Sequence, residues 1–388
     1  MDFKEYLMED ALSAIIDYRG KTPQKVENGI PTLSAKSVKN NYINYAECYY
    51  ISEAEYKRFM VRGFPKKGDI LLTTEAPMGM VARLDRDDIA IAQRLLTLRG
   101  KEGVLDNDYL LYLLQSPYGQ GLLKAKETGT TVTGIKQAEF RRVVIKLPDI
   151  AVQKKVTSIL NAIDSKISCN TKINDNLEQQ AATVFGDWLS KCTETASIGD
   201  LSNNILDYTP IAAEMVRLLN SSDVTEGVFP VAPLVPNKDL KGHFKKRFQF
   251  DDILYSEIRP RNHHYGYVMF DASEYIASTR LMVIRAITSK VSPALLYQYL
   301  LLPDVEAEFT LKTESRSGTF PQGNYADMAS IMVPYSSIES QSAVSDVLLQ
   351  IRKTIAQNQL ENRHLEELRD TLLPRLMSGE IDVSAIDI

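Results

Sequence analysis

Cysteine is scarce in this chain: three residues in 388, Cys48, Cys169 and Cys192, all widely spaced. That spacing gives no disulfide framework and no tetrahedral zinc set, and it fits a reducing cytoplasm. Histidine is nearly as rare. His243, His263, His264 and His364 show no metal-ligand spacing, and the adjacent pair cannot easily put both rings on one ion, so no metal is expected. No apolar run approaches 18 residues, which excludes a membrane-spanning helix, and the acidic start MDFKEYLMED does not read as a signal peptide. Phosphate-cradling loops are missing too, since Gly119-Gln120-Gly121 followed by Lys124 lacks the spacing. There is no Pro-Pro pair, so the (Asn/Asp/Ser)-Pro-Pro-aromatic motif of amino methyltransferases is absent. Pro148-Asp149 looks like the opening of a nuclease motif, but no well-spaced acid-x-Lys follows, and a strand-to-helix turn is the better reading. Charge of one sign is also lacking: 45 basic against 50 acidic residues leave −5. That balance disfavours a nonspecific polyanion binder but permits a local basic patch. These absences leave no catalytic residue to nominate, and the chain reads as a scaffold or reader.

What is present is a repeat. The length predicts two or three domains at about 150 residues each, and it is also close to twice 190. Gly68-Asp69-Ile70-Leu71 near Pro77 is answered by Asp251-Asp252-Ile253-Leu254 near Pro260. Ala92-Gln93-Arg94-Leu95 with Arg99 is answered by Ala277 to Leu281 with Arg285, and Tyr109 to Pro117 by Leu295 to Pro303. Val144 to Pro148 is answered by Ser330 to Pro334. The offset drifts only from 183 to 188 residues, so the matches form one duplication. Each copy begins with short β-like runs, in the first Asp69–Thr73, Met80–Leu84, Leu95–Arg99 and Arg142–Leu147, broken by turn residues. Short helices are predicted around 108–116 and 119–127. Each copy then loses its glycine and proline punctuation, over about 152–191 and 339–378. Pro374 is expected to kink or end the second of these helical stretches.

Both stretches carry heptads. Val156, Ile163, Leu177 and Val184 form one column of the first, with Leu160, Ile167, Ala181 and Trp188 beside them. The second shows Val344, Ile351, Leu365 and Leu372 beside Leu348, Ile355 and Leu376. This is a coiled-coil seam on helices roughly 50–58 Å long. Asn170 and Asn174 interrupt the first seam, Asn358 and Asn362 the second, each pair at its helix midpoint. A buried asparagine layer fixes register at a cost in stability. Antiparallel packing would set Asn170 against Asn362 and Asn174 against Asn358. Parallel packing also matches asparagine to asparagine, so direction stays open. Arg369, which would face Ile163, fits neither arrangement.

Basic and amide residues cluster in a few segments. Lys245, Lys246 and Arg247 close the stretch 237–247, and Arg259, Arg261, Asn262, His263 and His264 crowd one turn. Arg19, Lys21, Thr22 and Lys36 mark the first copy, with Thr130, Thr131 and Lys136 in the loop 129–137. The counterpart loop, 313–324, supplies Arg316, Thr319 and Gln322. These are the types that reach phosphates and base edges, arginine and lysine toward guanine, amides toward adenine.

In sequence order, the chain resembles the specificity (S) subunit of Type I restriction–modification enzymes. The resemblance runs through Tyr18-Arg19-Gly20-Lys21-Thr22-Pro23, Gly29 to Lys36, Lys67 to Leu71, Gly129-Thr130-Thr131 and Leu147-Pro148-Asp149 with Gln153. Echoes follow at Leu218 to Val224, Asp252-Ile253-Leu254 with Arg259-Pro260, and Val333-Pro334 with Gln341. Leu372 to Ile381 matches the family's C-terminal pattern. The resemblance implies an α+β fold: an α/β target-recognition domain followed by a long helix, duplicated in tandem. The two helices would pack as an antiparallel coiled coil with pseudo-two-fold symmetry. On this plan residues 1–150 and 192–336 are the recognition domains, 151–191 and 337–378 the spacer helices, and 379–388 a tail. Each domain would read one half of a split, asymmetric site in double-stranded DNA. The helices would set the gap between half-sites and dock two methyltransferase subunits. S-adenosylmethionine, ATP and magnesium would belong to those and to the restriction subunits, with no cofactor in this chain. A related Type IIB-like or methylation-only defence complex is an alternative, as is a coiled-coil adaptor that touches no DNA. The target sequence and its gap are not readable from the residues.

Overall fold

In the computed structural model, residues 2–18, 20, 22–129, 133–314 and 322–386 are described. The chain divides into two units, one of residues 1–167 with 364–388, the other of residues 168–363. Each unit holds one copy of the repeat and a length of both long helices.

The two copies share strand order. In the first unit, strands Leu12–Asp17, Leu95–Gly100, Ile70–Thr73 and Val81–Arg83 lie side by side in that order, all antiparallel. In the second, Ser202–Asn204, Leu281–Ala286, Ile253–Ser256 and Tyr265–Tyr267 repeat the arrangement. A smaller sheet accompanies each. Ile30–Leu33 pairs antiparallel with Tyr49–Ile51 and parallel with Ala90–Ile91. Met215–Leu219 pairs antiparallel with Leu234–Pro236 and parallel with Tyr275–Ser278. The second copy adds one strand, Phe244–Lys246, on the far side of Tyr275–Ser278, with a bulge between Phe244 and Lys246. Short antiparallel pairs, Lys4–Leu7 with Val144–Leu147 and Glu194–Ser197 with Met332–Tyr335, complete the copies.

Chemistry repeats with topology. Asp69 accepts from Arg99 Nε at 2.7 Å and Nη2 at 2.8 Å; Asp252 accepts from Arg285 at 2.6 and 2.8 Å. Both carboxylates are buried and also cap their own turns, through the Lys66 and Gln249 amides. A buried carboxylate persists only when its oxygens are bonded, and here an arginine fork satisfies both. Gly68 and Asp251, just before them, both have positive φ. Gln153 and Gln341 are likewise matched: each is fully buried and donates to two carbonyls, Val104 and Pro148 in one case, Lys290 and Ser336 in the other.

The long helices run Ile150–Leu189 and Ile338–Ser378. Asp149 lies between the strand Val144–Leu147 and the first of them, as a turn residue should. In the first unit Val156 and Leu160 share a core with Leu373, Leu376 and Met377. In the second, Ala181 and Phe185 share one with Val344, Leu348, Ile351 and Ile355. Asn170 Nδ2 donates to Asn362 Oδ1 at 2.8 Å, and Asn358 Nδ2 to Asn174 Oδ1 at 2.8 Å, so the helices are antiparallel. Arg369 does not sit on an apolar layer: it donates to Asp164 at 3.0 Å and to its neighbour Asp370.

Pro374 does not end the helix, which passes through it to Ser378. The amide that proline lacks leaves the Asp370 carbonyl without its usual helical donor, one bond lost within the last turn. The stop comes at Gly379, whose φ of +78 suits a left-handed cap that an L side chain resists. The segment beyond is not loose. Val383 is fully buried in the first unit's core, and Lys155 Nζ donates to the Ser384 carbonyl at 2.7 Å.

Candidate nucleic-acid interface

Each unit presents one exposed turn tethered to one loop, and the same backbone bonds hold both. In the second unit the strand Ile253–Ser256 runs into a turn containing a 3-10 segment, Pro260–Asn262, before Tyr265–Tyr267 returns. Arg259 and His263 flank that segment in left-handed conformation, φ +48 and +53. The Glu257 amide donates to the Arg280 carbonyl at 2.9 Å, and Gly323 donates to the Glu257 carbonyl at 2.8 Å. Ile258 pairs with Gln322 as a single antiparallel bridge. In the first unit the turn lies between Ile70–Thr73 and Val81–Arg83. Thr74 donates to the Arg94 carbonyl at 2.9 Å, Ile135 donates to the Thr74 carbonyl at 2.9 Å, and Glu75 bridges Gly134. A β-carbon at Gly134 would stand 2.5 Å from the Thr74 carbonyl oxygen, so only glycine allows this approach.

The structure thus joins turn 259–264 to the far end of loop 313–324, two segments the sequence nominates separately. Arg259, Arg261 and Asn262 are exposed on the turn. Arg261 reaches Glu314 at 3.2 Å with 72% of its side chain exposed, a screened surface pair that competes weakly with other anions. His263 is held at both ring nitrogens, by Glu226 at 3.0 Å and Glu306 at 3.1 Å. The Glu226 hydrogen bond, followed by Glu306, raises its pKa above the ordinary histidine value against the opposing effect of burial. His264 Nδ1 faces the Val224 carbonyl at 2.9 Å and Thr225 Oγ1 at 3.2 Å. Both histidines therefore brace the turn.

Lys246 is a correction. A strand alternates its faces, and the bulge leaves Lys245 outward and Lys246 inward. Lys246 is 3% exposed, its ammonium donating to the Leu281 carbonyl at 2.7 Å beside Glu257 at 3.6 Å, and burial lowers its pKa despite that carboxylate. It supports the turn from beneath and cannot reach a phosphate. Gln322 is also engaged: its Nε2 donates to Glu257 at 3.1 Å and its Oε1 accepts from Arg280. Arg247 is half-buried, its amide on the Asp207 carbonyl, while Lys36, Lys136 and Lys245 stand exposed. Thr22 is exposed and bonded to Gln93, which places it beside Arg94. Arg19, Lys21, Thr130, Thr131, Arg316 and Thr319 lie outside the described residues.

Sequence reasoning passed over the first unit's own turn, Glu75 to Met78, because it carries no arginine or histidine. Arg94 bonds Glu75 at 2.9 Å across it, and Gln120 donates to the Gly79 carbonyl at 2.9 Å behind it. The usable signal was position in the repeat, where Pro77 already matched Pro260. Among the described residues, no group of three histidine, cysteine or acidic side chains could hold a metal, and no helix is long and apolar enough to cross a membrane.

Two tandem α/β domains with paired long helices define a class of fold, and comparison with known proteins gives its family. A family model described as the Type I restriction modification DNA specificity domain matches residues 15–179 and 230–368. The chain belongs to this family, and its role is that of a specificity subunit, a DNA-recognition component rather than a catalyst. It is similar to the Type I restriction enzyme HindI specificity subunit of Haemophilus influenzae, 35% identical over 45% of this chain and 39% of that protein. It is also similar to the MjaIX specificity subunit of Methanocaldococcus jannaschii, 26% identical over 92% of this chain and 88% of that one. The crystal structure of a Type I S subunit from M. genitalium has the same fold, with a TM-score of 0.61 at 15% identity, covering 97% and 96% of the two chains.

Proposed function

We propose that residues 1–150 and 192–336 each read one half of a bipartite, asymmetric site in double-stranded DNA, and that the two helices set the gap between the halves. The observation that carries this is the pair of matched turns: one scaffold, bonded alike in both copies, with different side chains displayed on it. Matched tethers place both turns at the same point of the scaffold, and unlike tips supply unlike base preference. Arg259, Arg261 and Asn262 are the groups assigned to base edges in the second half-site; Lys36, Lys136 and Lys245 are assigned to phosphates. At 1.5 Å per residue, helices of 40 and 41 residues exceed one DNA turn of about 34 Å.

On the same reading the chain works in the cytoplasm with two methyltransferase subunits docked along the helices, and with restriction subunits joining through them. S-adenosylmethionine, ATP and magnesium serve those partners. A near-neutral charge suits a reader whose partners supply much of the phosphate clamp.

The test uses the assembled complex on duplexes carrying the split target or a scrambled one. Arg259→Ala or Arg261→Ala should weaken binding through one half-site only, by about 1–3 kcal/mol where the arginine makes a bidentate guanine contact. Equal loss through both half-sites, or equal affinity for scrambled DNA in the parent complex, would overturn the assignment.

A further inference from the structure

The two matched turns differ most at their tips. Where the second copy has Arg259-Pro260-Arg261, the first has Ala76-Pro77-Met78. Ala76 and Pro77 are exposed and Met78 is half-buried. The tip is held rigidly: Thr73 Oγ1 donates to the Pro77 carbonyl at 2.6 Å, Gly79 donates to the Thr73 carbonyl at 3.0 Å, and Gln120 grips the Gly79 carbonyl from behind. Ala76 has φ +54, a conformation that costs an alanine roughly 1–2 kcal/mol and that glycine or asparagine would adopt more easily. An open groove of about 580 Å³ runs beside the tip, lined by Ala76, Pro77, Met78, Gln120 and Lys124 among others. Ala76, Pro77 and Met78 give it an apolar side, and the rest of its lining is largely polar: Gln120, Thr133, Glu127 and the exposed Lys124.

Such a tip has no side-chain donor or acceptor to offer a base. One feature of the major groove needs none, the 5-methyl group of thymine, and apolar side chains are what recognise it. We infer that Ala76, Pro77 and Met78 are specificity-determining residues of the first reader and pack on a thymine methyl. Lys124 takes the adjacent phosphate. The inference rests on the DNA-reading role proposed above and assigns the two readers opposite chemistry at one scaffold position: methyl contact in the first, guanidinium-to-guanine in the second.

The experiment takes the full chain assembled with its methyltransferase partners and the target located by mapping methylated adenines. Each thymine of each half-site is replaced singly by deoxyuridine, which removes only the methyl. In the half-site insensitive to Arg259→Ala, one replacement should lower affinity about fourfold, the worth of one buried carbon group. Met78→Ser should erase the difference between thymine and deoxyuridine. Because Met78 also touches the core, Ala76→Asn, which relieves the backbone, serves as a second variant and should shrink the difference without lowering thermal stability. Specific binding with no methyl dependence in that half-site, or dependence unchanged in both variants, overturns this inference alone. Loss of discrimination between target and scrambled duplex in the parent complex overturns the reading beneath it.

Discussion

Arg352 offers a sharp test of how the second reader is fastened to its helices. Its side chain is 4% exposed and bonds Glu178 of the other long helix through both terminal nitrogens, one at 2.6 Å. The guanidinium lies 4.9 Å over the ring of Tyr297, a fully enclosed residue of the reader's own helix Pro293–Leu300. Glu178 differs: 41% of its side chain meets solvent. The two partners should therefore be unequal. Glu178→Ala leaves a charge buried without its counter-ion, a change that costs about 3–5 kcal/mol in a closed site. Water on the Glu178 side and the Tyr297 face both soften the loss, so about 2–3 kcal/mol is expected. Arg352→Met removes the buried charge, together with an Nε that has no partner, and leaves Glu178 free to hydrate. Its expected cost is within about 1 kcal/mol of zero. Trp188 is the sole tryptophan and packs on Phe185 and Tyr299, so its fluorescence in a urea titration reports this unit. With a urea slope of roughly 1–3 kcal/mol per molar, the two variants should differ by about 1 M in midpoint. If Arg352→Met proves as costly as Glu178→Ala, the buried-charge argument is wrong.

Two further outcomes follow from the geometry. With Cys169 replaced by serine, cysteines at positions 170 and 362 should form a disulfide, whereas 170 with 358 should not; the reverse pattern would contradict the antiparallel register. His263 is bonded at both ring nitrogens by glutamates, which raises its folded-state pKa above its unfolded value of about 6.5. The stability it contributes is whole below that value and is lost as pH rises through the folded pKa. His263→Gln should flatten the Trp188 urea midpoint against pH from about 6.5 upward; an unchanged slope would mean that the clamp does not act.

The periodic parts of the structure were legible because periodicity is a local consequence of packing. Heptad columns located both long helices, and the paired asparagines located a polar layer in the seam, since a polar group there must find a polar partner. Direction was not legible, because asparagine meets asparagine in either sense, and it is set by the Asn170–Asn362 bond. Arg369 looked like an error only because its partner, Asp164, sits off the seam, one position beyond Ile163. Lys246 was misread for a related reason. A run of basic residues looks uniform in sequence, but a strand sends neighbours to opposite faces, and the inward one found the Leu281 carbonyl. The Asp69–Arg99 and Asp252–Arg285 pairs were visible as repeated letters, not as bonds, because thirty or more residues separate the partners.

The copies have kept a set of buried polar bonds, Asp69–Arg99 with Asp252–Arg285 and Gln153 with Gln341, and changed the tips of the turns they display, and this division is the strongest physical argument for paired readers. Breaking Asp252–Arg285, or moving Gln341 from its two carbonyls, would strand buried polar groups, so such positions tolerate little change. Ala76 and Arg259 are exposed and Arg261 pairs only at the surface, so apart from the core contact of Met78 these tips can differ at modest cost in stability. The added strand Phe244–Lys246 follows the same logic. It extends a sheet edge without disturbing the shared order, and its buried lysine sits under Glu257, at the base of the second turn. A device that must hold geometry constant while varying chemistry at one end is the one a split, asymmetric target requires. A simple adaptor would have no reason to preserve the tethers of two exposed turns while replacing their tips.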